Sequence, residues 1–154
     1  MKHRWTALIA VLALCALVGR EISGQRTNTA PPGNQRIAGS LGQNFPNPFN
    51  PETRIPFTIG LEGNPPVCKN PEQRHRVTLR IWDILGRPVS VPILQGGGEW
   101  AGAPVERLLL SCGSYTAYWD GTIRGTDRKV SSGTHIYVLE VDGIATSKKM
   151  LVLK

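Results

Sequence analysis

The residues able to do chemistry are few and scattered. Beyond the N-terminal segment the chain holds two cysteines, Cys68 and Cys112, and two histidines, His75 and His135. These four do not fall at zinc-site spacing. A catalytic thiol needs a basic partner to lower its pKa, and the sequence identifies none. No G-x-S-x-G element occurs, and two histidines give little scope for a triad. Gly96-Gly97-Gly98 resembles a phosphate cradle only superficially, since no Lys-Ser/Thr pair follows and Glu99 would repel an anion. Asp120 and Asp127 offer oxygens, but calcium wants six to eight, and an Asp before Gly121 more naturally closes a turn. Trp100, within the Gly-rich stretch, is the candidate for partner contact: it either stacks on a sugar or protein or plugs the end of the fold. These readings predict no enzyme, no cofactor and no metal.

The N-terminus sets the compartment in which the cysteines work. Lys2, His3 and Arg4 precede an apolar run over residues 5–18, broken only by Thr6 and ended by Arg20 and Glu21. The run is shorter than the roughly 20 residues a spanning helix needs, so it reads as a secretory signal peptide over residues 1–24. Cleavage follows Gly24, with Gly19 as the alternative, and no membrane span remains afterwards. Lipoprotein acylation at Cys15 is disfavoured by Leu14, where a small residue is needed. Export removes Cys15 and leaves Cys68 and Cys112 as a pair for an oxidising compartment. Loop entropy makes such a disulfide worth about 4 kcal/mol.

The elements that must position these residues are extended ones. The 154-residue chain has net charge +7, 17 glycines and 12 prolines, with 40% hydrophobic and 19% charged residues. That many helix breakers argue against a bundle, and the length excludes a large multidomain enzyme. The positive charge is spread along the chain without stacked aromatics or a recognition helix, so nucleic acid is not expected as a partner. Residues 25–43 are polar and small, and read as a flexible linker. Order begins near Asn44, where Pro46, Pro48 and Pro51 predict a rigid, extended lead-in clamping Phe45 and Phe49 onto a sheet. Period-two alternation then marks strands over residues 54–61, 76–84, 114–119, 135–141 and 149–153, with 89–94 as a return strand. Pro56 lacks a ladder donor and predicts an edge position for its strand. Together these give an antiparallel, immunoglobulin-like β-sandwich of six to seven strands over residues 44–154. Strand parity places Cys68 and Cys112 at one pole, unless residues 105–110 add a strand and flip the count.

Residues 41–51, Leu-Gly-Gln-Asn-Phe-Pro-Asn-Pro-Phe-Asn-Pro, resemble the opening of C-terminal sorting domains of the type IX secretion system of Gram-negative bacteria. The immunoglobulin-like module of flagellar hook-capping proteins shares the later elements. Within the opening the motif residues are Pro46, Asn47, Pro48 and Phe49. The stretch from Ile81 through Asp83 and Gly86 to Val89 is similar to the family's "YDxxGRxV" core. Trp119-Asp120-Gly121, followed by Val130-Ser131-Ser132-Gly133, resembles "WDG…VxSG". Lys148, Lys149, Met150, Leu151, Val152, Leu153 and Lys154 look like its basic-apolar terminal strand. The chain departs from the pattern at His135, where the family has Tyr, at Asp127, where it often has Gly, and in apparent insertions over residues 63–75 and 95–111.

The resemblance implies that outer-membrane secretion machinery recognises the domain through its terminal strand. The chain would be exported, pass through the periplasm, and finish at the cell surface or outside the cell. Only the linker precedes the domain, so the module itself would be the product. The competing expectation is an extracellular or periplasmic binding or assembly module, contacting a surface protein or glycan through the loop around residues 96–102.

Overall fold

The computed structural model describes residues 38–60 and 68–154. The expected signal peptide, linker residues 25–37 and residues 61–67 lie outside them. The described residues form nine strands and no helix. In chain order these are β1 (Ala38–Leu41), β2 (Thr53–Gly60), β3 (Arg74–Asp83), β4 (Pro88–Ser90), β5 (Ile93–Gln95), β6 (Leu108–Ser111), β7 (Gly113–Trp119), β8 (Gly133–Val141) and β9 (Ile144–Val152). One sheet has the order β1-β2-β7-β5, and the other β4-β3-β8-β9 with β6 also on β3. Every strand pairing is antiparallel. The molecule is an antiparallel β-sandwich.

Alternation drives this arrangement. Ile55, Phe57 and Ile59 of β2 face inward and meet Val77, Leu79 and Ile81 of β3 and Tyr137, Leu139 and Val141 of β8, all buried. Hiding one such face between two sheets is what a half-apolar strand requires.

Three departures from the sequence expectation have local causes. First, the linker ends earlier than residue 43, because Ala38–Leu41 pair with β2. Gly39 lets this strand settle against Leu139 and Val141, where an added Cβ would overlap both side chains. Second, β2 is not at an edge, since β1 and β7 flank it. Pro56 is tolerated because the β1 ladder ends beside it: Gly42 N–H donates to Pro56 O at 2.8 Å, and the chain pairs with β2 again only at Phe45 and Arg54. Third, the return strand 89–94 divides. Its halves join opposite sheets, β4 on β3 and β5 on β7, with Pro92 between them interrupting the ladder.

The extra strand over 105–110 exists as β6. The parity nevertheless holds, because residues 102–105 first run back along β5, bonded through Leu94 and Pro92. Cys68 and Cys112 therefore meet at one pole and form a disulfide with Cα atoms 5.8 Å apart.

Candidate functional site

The opposite pole gathers the motif residues from both sheets. The register places Thr53 opposite Trp119, Asp83 opposite His135, and Gly133 opposite Val152. Trp119 bridges the layers, with its ring centroid 5.4 Å from Phe49 and 6.1 Å from His135. His135 is buried there.

The proline segment builds a clasp along the outer edge of β9. It bends repeatedly, contrary to the expected extended lead-in, and its three X-Pro bonds are cis. Asn44 Nδ2 donates to Pro46 O and to Thr53 Oγ1, each at 3.0 Å, and Thr53 Oγ1 donates to the same carbonyl. This network forces the bend. Phe49 then pairs with the terminal strand: its N–H donates to Leu151 O, and Leu153 N–H donates to Phe49 O, both at 3.0 Å. Asn47 Oδ1 accepts from Leu151 N–H at 2.9 Å. An open edge strand carries unpaired N–H and C=O groups, and here the clasp satisfies them at Leu151 and Leu153. Phe49 is buried as expected, whereas Phe45 is 74% exposed. The two aromatic rings therefore do different things.

Turns on the same pole carry the acidic motif residues. Asp83 Oδ1 accepts from the N–H groups of Leu85 and Arg87, and Oδ2 pairs with the Arg87 guanidinium. These bonds, the Arg87 N–H foremost, hold its carboxyl below the ordinary range. Gly86 sits at φ 75° in that turn, a region glycine enters without cost. Burial pulls Asp120 upward, but bonds from Thr122 and from Lys129 outweigh it and leave it lowered. Gly121 is fixed twice, by φ 79° and by Pro51 O lying 2.5 Å from where a Cβ would be.

Tyr137 joins this construction to the core. Its hydroxyl donates to Gly42 O at 2.9 Å and accepts from Asn44 N–H at 3.1 Å. Gly42 O is the carbonyl that an N–H at position 56 would otherwise have served, so the tyrosine replaces the donor that Pro56 lacks. Burial raises the Tyr137 pKa, which keeps the hydroxyl protonated and donating. Sequence marks Asn44 only as the place where order begins, and does not single out Tyr137. The only available signal was a tyrosine on the apolar face of a strand.

On β9, Met150 and Val152 are buried while Lys149 and Leu151 are exposed, and Leu153 and Lys154, just beyond its end, are exposed as well. Lys148 is exposed too. None of these lysines makes an ion pair among the described residues. The expected recognition segment thus splits into core side chains and a basic-apolar outer row.

The remaining candidates lie at the disulfide pole. Trp100 packs, partly buried, against the core with its indole N–H buried and unpartnered, closer to a plug than to an open contact. His75 is buried, with Nδ1 2.6 Å from Asp142 Oδ2. Burial raises Asp142, but His75 and the Arg76 N–H outweigh it and lower its pKa. This tie pins the β8–β9 turn onto β3. Sequence alone did not show it, because Asp142 lies 67 residues from His75. Among the described residues no group of three His, Cys, Asp or Glu could hold a metal ion.

In comparisons with known proteins, no family model and no curated relative matches the sequence.

Proposed function

We propose that this domain is an exported, non-enzymatic address module, read by outer-membrane secretion machinery and delivered to the cell surface or beyond. The observation that supports this reading is the terminal strand. Its edge is already bonded to the Phe49 clasp at residues 151 and 153, which leaves side chains rather than backbone for a receptor to read. Lys149, Leu151, Leu153 and Lys154 form that readable row, folded and solvent-facing. Clusters of unpaired lysines beside apolar side chains suit an acidic, partly apolar docking surface. The motifs that resemble type IX sorting domains converge on the same pole, so their shared role is to hold the terminal row in shape.

The test must leave the core intact. Deleting residues 150–154 would remove Met150 and Val152, both buried, and would confound misfolding with lost recognition. The charge reversals Lys149→Glu and Lys154→Glu alter only exposed side chains. The double variant should keep its melting temperature yet accumulate in the periplasm instead of outside the cell. Normal export of the folded double variant would overturn the reading.

A further inference from the structure

The outer face of the β1-β2-β7-β5 sheet is shaped as a trough of about 770 Å³, remote in its chemistry from the basic terminal row. We propose that this trough is a binding site for an acidic saccharide, one whose sugar rings carry carboxylate groups. Registered strands lay side chains across it in ranks. Ser40, Thr58 and Ser114 lie side by side on β1, β2 and β7. Pro56, Thr116 and Gln95 form the next rank, and Arg54, beside Tyr118, the third.

Short side chains make the floor, and Arg54 stands at one end. Gly42 cannot carry a side chain, because a Cβ would lie 2.7 Å from Pro56 Cγ, so the first strand stays low against the proline ring. The Pro56 ring is an exposed, flat apolar patch in the middle of hydroxyls. That pairing of an apolar floor with convergent polar groups matches a pyranose, which presents C–H bonds on its faces and hydroxyls around its rim.

The polar groups are uncommitted. Among the described residues, Ser40, Thr58, Ser114, Thr116, Gln95 and Arg54 make no side-chain hydrogen bond or ion pair. Exposed Arg74, Arg87 and Arg124 are each tied to a carboxylate. Arg54, like Arg76, Arg107 and Arg128, makes no ion pair with a carboxylate among the described residues, although Glu52 stands two residues away. Glu52 instead accepts the hydroxyl of Tyr118, which raises the tyrosine's pKa. A planar guanidinium left free at the end of a hydroxyl-lined trough calls for a carboxylate, which it grips bidentately. Gly96 and Gly97 border the trough with open space around them, leaving room for a chain to enter.

Amide chemical shifts of the purified, disulfide-bonded protein, titrated with trisaccharides of galacturonate and of mannuronate, test the proposal against their neutral methyl esters. Shifts should cluster at Ser40, Thr58, Ser114 and Thr116, with the acid binding about tenfold more tightly than the ester, or about 1.4 kcal/mol. Arg54→Gln should abolish that preference and leave ester binding unchanged. Thr116→Val should weaken acid and ester alike by about threefold, both variants keeping the parent melting temperature. No shifts in the trough at about 10 mM of any trisaccharide, shifts elsewhere only, or an acid preference that survives Arg54→Gln would each overturn it.

Discussion

Replacing Tyr137 with Phe removes one oxygen and strands two backbone groups. The Tyr137 hydroxyl serves Gly42 O and Asn44 N–H at 2.9 and 3.1 Å. Asn44 is 2% exposed, so its N–H would lose its partner away from water, while half-buried Gly42 would regain some hydration. A buried orphan costs about 1–3 kcal/mol, so one full and one partial loss give about 2–4 kcal/mol. For a domain of this size that lowers the melting temperature by roughly 8–16 °C. Urea unfolding of the oxidised protein measures the difference, with Tyr118→Phe as the surface control, expected within about 0.5 kcal/mol of the parent. The argument also fixes a rescue. Pro56→Ala restores an N–H facing Gly42 O, so in the Tyr137→Phe background it should be less costly than in the parent by about 1 kcal/mol. A Tyr137→Phe variant as stable as the parent, or strict additivity in the double variant, would refute the claim that the tyrosine substitutes for the missing donor.

Other expectations follow from the same geometry. Gly121→Ala should cost at least about 1 kcal/mol, because it strains a positive φ and drives a methyl group into Pro51 O, whereas Gly97→Ala, in open space, should be neutral by urea titration. Replacing both Cys68 and Cys112 with Ala should lower stability by about 2–4 kcal/mol without changing the strand content seen by circular dichroism. Asp142 is held below its ordinary pKa, so its contribution is present above an unfolded value of about 3.9 and is lost as pH falls through the lower folded value. Asp142→Asn, which tolerates the left-handed backbone at φ 50°, should flatten the loss of stability on acid titration; an unchanged slope would contradict the His75 tie.

Much of the fold was legible because alternation is local. Val77, Leu79 and Ile81 occupy the inward face that period two assigned, and Ala117 and Trp119 do the same on β7. The disulfide was legible for a different reason: only two cysteines remain after the N-terminal segment, and both flank strands that begin at one pole. Boundaries failed where long-range partners override composition. Ala38–Leu41 looks like linker, yet a glycine's lack of a side chain lets it seat beside Leu139 and Val141, one hundred residues on.

The candidate site divides along the same line. The proline segment, the Asp-Gly turns and the basic-apolar end of the chain are each defined by residue type and spacing within a few positions. That Phe49 bonds the last strand's edge, that Tyr137 stands in for a proline's absent donor, and that hydroxyls from three strands line one trough emerge only once the strands are in register. The difference is one of direction. Burial of an apolar face needs only alternation, which is written along the chain, whereas a hydrogen bond needs its partner within about 3 Å, a condition only the folded register can meet.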